Sequence, residues 1–270
     1  MSLVLFMMLQ MSERPIDAFM RPAASGKPHV IAHRGFSGAA PENTLAAFRR
    51  AIAADAEMFE LDVLLSSDGH VVVIHDDTLD RTTDGSGPVA DKTLAELQAL
   101  DAGSWFGPGF AGERIPTLEQ SLRLAKGFIL VNVEIKTEAV TDEARGGIVE
   151  KTLAIIEDIN MEGDVVISSF DPRALTHARQ LSPDIRTASL YNSRAHEGLG
   201  PGAVMAEVDS NGFNLSQKQV DASIIETCHG LGRPVAVYTV NEEQDMRRVI
   251  DLGVDAIFTD YPDRLAELLK

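Results

Sequence analysis

Met58-Phe59-Glu60-Leu61-Asp62-Val63 is the stretch whose reading decides the fold. On a β-strand successive side chains point to opposite faces, so Glu60 and Asp62 share one face while Phe59, Leu61 and Val63 share the other. Two carboxylates side by side repel by about 4 kcal/mol at an effective dielectric of 20. A strand that carries both inward needs a shared proton, a basic partner or a metal ion. In a barrel the apolar face packs under helices and the carboxylates face the interior mouth. Val131-Asn132-Val133-Glu134-Ile135-Lys136 repeats the pattern. Polar residues alternating with branched aliphatics in a buried strand are costly without a function. A structural salt-bridge cluster is the competing reading.

Outward from these stretches, short apolar runs alternate with amphipathic segments from residue 29 to the end. The runs predict strands near 30–33, 58–63, 71–74, 129–135, 165–168, 187–190, 212–214, 235–239 and 256–259. Helical periodicity predicts helices near 44–54, 117–125, 142–159, 172–181, 217–231, 242–252 and 263–270. The runs read as parallel strands buried on both faces, in a (β/α)8 barrel or a doubly wound sheet. No Gly-x-Gly-x-x-Gly opens a helix, and the chemistry-bearing residues fall at the C-terminal ends of several strands. The expected fold class is therefore α/β, a TIM barrel.

Residues 29–270 are expected to form this single barrel domain behind an N-terminal extension, 1–28. Residues 78–116 break the rhythm. They predict a small cap inserted between the second strand region and the following helix, with one helix at 93–99. Trp105, the one Trp of the chain, lies there beside Phe106 and near Phe110. These aromatics either line a pocket for an apolar or choline-like group or anchor the insertion to the barrel.

At 270 residues with 44% hydrophobic content, the chain can bury a large core. A net charge of −17 argues against nonspecific nucleic-acid binding. The single Cys228 excludes an internal disulfide framework and fits a reducing compartment; its plain reading is a small core residue. Met1–Met11 is apolar but short, without a basic start or a cleavage site. It reads as a poorly ordered or surface-packed extension of a cytoplasmic protein, and no run reaches membrane-spanning length.

Two histidines close apolar runs beside charged residues: His33 in Val30-Ile31-Ala32-His33-Arg34-Gly35 and His75 in Val71-Val72-Val73-Ile74-His75-Asp76-Asp77. Imidazoles move protons near neutral pH. Each is expected at the end of a barrel strand, beside the carboxylates of Glu60, Asp62 and Glu134, which suit a hard divalent cation. Gly35 permits a tight turn, after which Pro41-Glu42-Asn43-Thr44 opens a helix with Asn43 or Thr44 as N-cap. Arg34 suits bidentate phosphate contact, and Lys136 offers a point charge. Together these residues point to metal-dependent hydrolysis of a phosphate ester.

In order and spacing, His33-Arg34-Gly35, Pro41-Glu42-Asn43-Thr44, Glu60-Leu61-Asp62-Val63, His75-Asp76 and Arg81-Thr82-Thr83 resemble the glycerophosphodiester phosphodiesterase family. So do Ile115-Pro116-Thr117-Leu118, Glu134-Ile135-Lys136, Ser168-Ser169-Phe170, Tyr238-Thr239-Val240-Asn241 and Thr259-Asp260-Tyr261-Pro262. The resemblance covers about residues 29–265. It implies a TIM barrel with an inserted cap that hydrolyses small glycerophosphodiesters to sn-glycerol 3-phosphate and an alcohol. It further implies Glu60, Asp62 and Glu134 as ligands of one divalent cation, Ca²⁺ or Mg²⁺, His33 and His75 as the acid–base pair, and Arg34 with Lys136 as phosphate contacts. The family often has Trp where Tyr238 stands, so Tyr238 is expected to shape the alcohol preference. Two other readings share the motifs: a phospholipase D-like enzyme cleaving sphingomyelin or lysophospholipids on the same barrel, and a catalytically silent barrel that binds phosphate esters.

Overall fold

The apolar runs form strands and the amphipathic segments form helices, in the order α1 (Pro15–Phe19), β1 (His29–Ala32), α2 (Leu45–Ala53), β2 (Met58–Leu65), β3 (Val71–Val73), α3 (Leu94–Ala99), α4 (Leu118–Ala125), β4 (Leu130–Ile135), α5 (Ile148–Ile159), β5 (Val165–Ser169), α6 (Pro172–Leu181), β6 (Arg186–Leu190), α7 (Pro201–Val208), β7 (Gly212–Ser216), α8 (Ala222–Gly230), β8 (Val235–Tyr238), α9 (Glu243–Leu252), β9 (Ala256–Thr259) and α10 (Pro262–Leu268). The computed structural model describes residues 14–23, 26–191, 196 and 198–270. β2 pairs in parallel with β1 on one side and β4 on the other, and β9 returns to β1. Eight parallel strands thus close a barrel, as the alternation predicts. Phe59, Leu61 and Val63, with Val131, Val133 and Ile135, join the apolar layer under the helices. Glu60, Asp62 and Asn132 are buried on the opposite face.

One expected barrel strand is not part of the ring. β3 runs antiparallel to the end of β2, with Val73 opposite Val63 and Val71 opposite Leu65. Residues 66–70 are too few for the crossover that two parallel strands require. Instead they turn through Gly69 at φ +80°, with the Ser66 hydroxyl bonded to Asp68 and to the His70 amide. The hairpin returns the chain to the level of Asp62, whose carbonyl accepts from the Ile74 amide at 3.0 Å. His75 therefore reaches the mouth from a hairpin arm and not from a barrel strand.

The segment after His75 is irregular, apart from α3, which lies where the sequence predicts a small helix and is closed by a Thr93–Glu96 capping box. Leu79, Val89, Leu97, Ala102 and Ile115 pack with Leu64, Val72 and Ile74 as a separate small core. Elsewhere α5 and α8 begin later than their periodicity suggests, and α7, which opens on Gly200-Pro201-Gly202, falls where no helix is expected.

The barrel floor is closed from the N-terminal side. Inward positions there are small (Ala188, Gly212, Ala236, Ala256), and α1 fills the space with buried Ile16 and Phe19. A Cβ at Gly212 would lie 2.8 Å from the end of Met20. Asp17 fixes the plug by pairing with Arg14 and with Arg186 of β6. Part of the expected extension is thus integral to the barrel. The reading of Met1–Met11 lies outside the described residues.

Candidate active site

Above the C-terminal ends of the strands, β1 gives way to His33 and Arg34. Arg34 sits in the left-handed region at φ 54°, followed by Gly35 at φ 76°. A Cβ at Gly35 would approach the Ala47 carbonyl carbon to 2.7 Å, so this turn against α2 requires glycine. The turn aims the Arg34 amide at Glu60 Oε2 (2.8 Å) and its guanidinium at Glu42 Oε1 (2.7 Å). Thr44 is the N-cap of α2. Asn43 serves the site instead, and its side-chain amide donates to Asp62 Oδ2 at 2.9 Å.

Glu60, Asp62 and Glu134 each offer an oxygen within 4.8 Å of the others. Burial, then repulsion from Asp62 and Glu134, pushes the Glu60 carboxyl well above its ordinary value. Burial and Asp62 push Glu134 up to about 7. Asp62 is also buried, but Lys136, Arg34 and His75 outweigh that cost and hold it below its ordinary value. Lys136 Nζ lies 3.0 Å from Glu134 and 3.4 Å from Asp62. Asn132 Oδ1, buried in the same cavity, has no partner among the described residues. Convergent all-oxygen donors that repel one another when ionised, beside an orphaned amide oxygen, fit a hard divalent cation.

His33 Nδ1 lies 2.7 Å from Asp260 Oδ1, and His75 Nδ1 lies 2.6 Å from Asp76 Oδ1. A carboxylate at Nδ1 makes that nitrogen the proton donor, which leaves Nε2 of each ring for chemistry. Asp260 is itself held by Ser37 Oγ (2.9 Å) and Asn241 Nδ2 (2.6 Å). Burial, with Arg34 and Lys136 nearby, keeps His75 below its ordinary value despite Asp62 and Asp76. Asp76, Asp260, Glu42 and Asn43 lie within the motifs, yet their roles are not legible there. Adjacency of His75 and Asp76 is the one local signal; the others are brought in by separate loops.

His33, Arg34, Glu60, His75, Glu134 and Lys136 line one cavity of about 160 Å³, with Asn132 and Thr239. Its charged half comes from β1, β2, β3 and β4. The opposite half is apolar: Phe170, Leu190, Tyr238 and Phe258. The Tyr238 ring meets Phe170 and Phe258 edge-on, and its hydroxyl donates to the Tyr191 carbonyl at 2.9 Å. Tyr238 therefore presents ring and not hydroxyl to the cavity. Trp105 is not part of this lining. Its indole N–H donates to the Ala102 carbonyl, its ring packs edge-on against Phe106, and Arg50 of α2 lies over Phe110. Phe110 thus meets α2, while Trp105, 41% exposed, lies outside the lining of this cavity and not at the position expected of a substrate contact.

Residues 33–264 match the sequence model of the glycerophosphoryl diester phosphodiesterase family. The chain belongs to this family. A glycerophosphodiester phosphodiesterase of Caldanaerobacter subterraneus is 42% identical over 246 residues, 90% of this chain and 98% of that one. Another, from Bacillus altitudinis, is 35% identical over 243 residues, 88% of this chain and 97% of that one. An Oleispira antarctica phosphodiesterase, solved with the product sn-glycerol-3-phosphate, has a TM-score of 0.78 at 34% identity, covering 90% of this chain and 97% of that one. The glycerophosphodiester phosphodiesterase fold thus extends over nearly the whole chain, and the protein is a phosphoric diester hydrolase of that family.

Proposed function

We propose that the enzyme hydrolyses small glycerophosphodiesters to sn-glycerol 3-phosphate and an alcohol, with His33 and His75 as the acid–base pair. The observation that carries this reading is the arrangement of two imidazoles, each oriented at Nδ1 by a carboxylate, in one cavity with three converging acids and two cations. Arg34 and Lys136 hold the phosphate. Glu60, Asp62 and Glu134 hold one divalent cation, Ca²⁺ or Mg²⁺, which when bound supplies Lewis-acid stabilisation of charge on the phosphoryl oxygens.

One histidine takes the proton of the glycerol 2-hydroxyl at Nε2 as that oxygen bonds to phosphorus. The other gives its Nε2 proton to the departing alcohol as its P–O bond breaks. Water then opens the cyclic phosphate with the two roles reversed. The apolar wall of Phe170, Leu190, Tyr238 and Phe258 excludes water from the reacting centre and faces the organic part of the substrate.

Among the described residues no helix is long and apolar enough to cross a membrane. We place the enzyme in the cytoplasm, where the buried free thiol of Cys228 stays reduced. The test is release of glycerol 3-phosphate from a panel of glycerophosphodiesters, with Ca²⁺, Mg²⁺ or EDTA. Lysophosphatidylcholine runs in parallel, with choline measured separately. Turnover unchanged in metal-free enzyme or in His33→Ala would overturn the mechanism. Choline release from lysophosphatidylcholine without glycerol phosphate from the panel would overturn the substrate class.

A further inference from the structure

Arg81 lies outside the cavity, on the irregular segment after His75, and touches none of the reacting groups assigned above. Its guanidinium is nevertheless saturated on two sides. Nε and one terminal nitrogen grip Asp76 at 2.6 and 3.0 Å. The two terminal nitrogens grip Glu42 at 2.7 and 2.8 Å. Each of these carboxylates has a second partner that does line the cavity. Asp76 Oδ1 holds His75 Nδ1, and Glu42 Oε1 holds Arg34. The result is one chain of charge-assisted hydrogen bonds, His75–Asp76–Arg81–Glu42–Arg34, that runs around the rim from a proton-transfer group to a phosphate-binding group.

We propose that Arg81 is a positioning residue that sets the orientation of His75 and Arg34 together, by clamping the two carboxylates that hold them. The inference rests on the roles given to His75 and Arg34 above. Its physical basis is the planar fork of arginine. Only a guanidinium has both a side edge and an end edge that can each take a carboxylate bidentately, so one residue can fix two acids at a set separation. Lysine, with a single ammonium, can pull on both acids but cannot fix the planes of either.

Arg81 also neutralises Asp76, whose carboxyl it holds far below the ordinary range together with His75. The charges facing His75 are Asp62 on β2, Arg34 after β1, Lys136 after β4 and Asp76 beside it. Removing Arg81 leaves those groups in place but takes away the cation that balances Asp76. The imidazole then holds its proton more tightly.

The experiment compares Arg81→Lys and Arg81→Gln with the native enzyme and with His75→Ala, all metal-loaded, as kcat, KM and their pH profiles on one glycerophosphodiester. Arg81→Gln is expected to lower kcat/KM by about 100-fold, the scale of a small misplacement of a reacting group. Both parameters should worsen, kcat through His75 and KM through Arg34, and the limb of the profile that reports His75 should move to higher pH. Arg81→Lys should recover part of kcat/KM and bring that limb back toward native. If Arg81→Gln stays within twofold of native, or loses activity in proportion to thermal stability with its pH profile unmoved, the positioning role is wrong. If His75→Ala turns over at the native rate, the underlying site reading fails instead.

Discussion

At the scale of single residues, the site is a balance between groups that repel and groups that orient. In the metal-free protein, Glu134 titrates near 7 and Glu60 is likewise raised. A carboxyl whose folded value lies above its unfolded value costs nothing at low pH, and destabilises the fold progressively as pH rises from about 4.5 through 7. A bound cation removes that cost, whereas protons compete with it. The rise in melting temperature on adding saturating Ca²⁺ or Mg²⁺ should therefore be larger at pH 8 than at pH 5.5, measured by thermal denaturation. Asp260 should matter through His33. Asp260→Asn keeps an oxygen near Nδ1 but no longer enforces the tautomer, so kcat should fall about 100-fold while the unfolding midpoint changes little. The inward carboxylates and both histidines were legible because strand alternation makes polar residues conspicuous among Val, Leu and Ile. Asp260 was not legible as His33's partner: no spacing links residues 227 positions apart.

At the scale of elements, the β2–β3 hairpin carries the lesson about reading strands. Three valines announce a strand but not its direction, and the five residues before them held that information. The hairpin extends β2 beyond the ring, so His75 is carried by an arm packed on Leu64, Leu79 and Ile115, not by the barrel's own hydrogen-bond ladder. The irregular segment that follows was recognisable by length, but composition alone did not tell whether its aromatics face substrate. Phe110 lies under Arg50 of α2, whereas Trp105 is 41% exposed and outside the cavity lining. Trp105→Ala should leave kcat and KM for a glycerophosphodiester within about twofold of native, the usual reach of a surface change remote from chemistry. A large rise in KM would return Trp105 to the binding site.

At the scale of the whole molecule, the barrel is a packed core floored by α1 on the N-terminal side. The alternation of apolar runs and amphipathic segments, with the chemistry-bearing residues at strand ends, pointed to the ring even though α7 was not legible. It missed the plug, since α1 is five residues long and lies outside that rhythm. Phe19 is nearly buried in the floor and stacks on His29. Phe19→Ala should cost about 3 kcal/mol of stability in urea denaturation, by loss of buried area and the cavity left behind. The candidate site, by contrast, lies above the C-terminal ends of the strands, where substrate and product occupy the same contacts. The phosphate-bearing product, which keeps the contacts to Arg34 and Lys136, is expected to depart last and to occupy the position that fresh substrate needs. sn-Glycerol 3-phosphate should accordingly inhibit as a pure competitor in initial-rate measurements, raising apparent KM and leaving the maximal rate untouched. Product and fresh substrate thus take turns at one set of phosphate contacts.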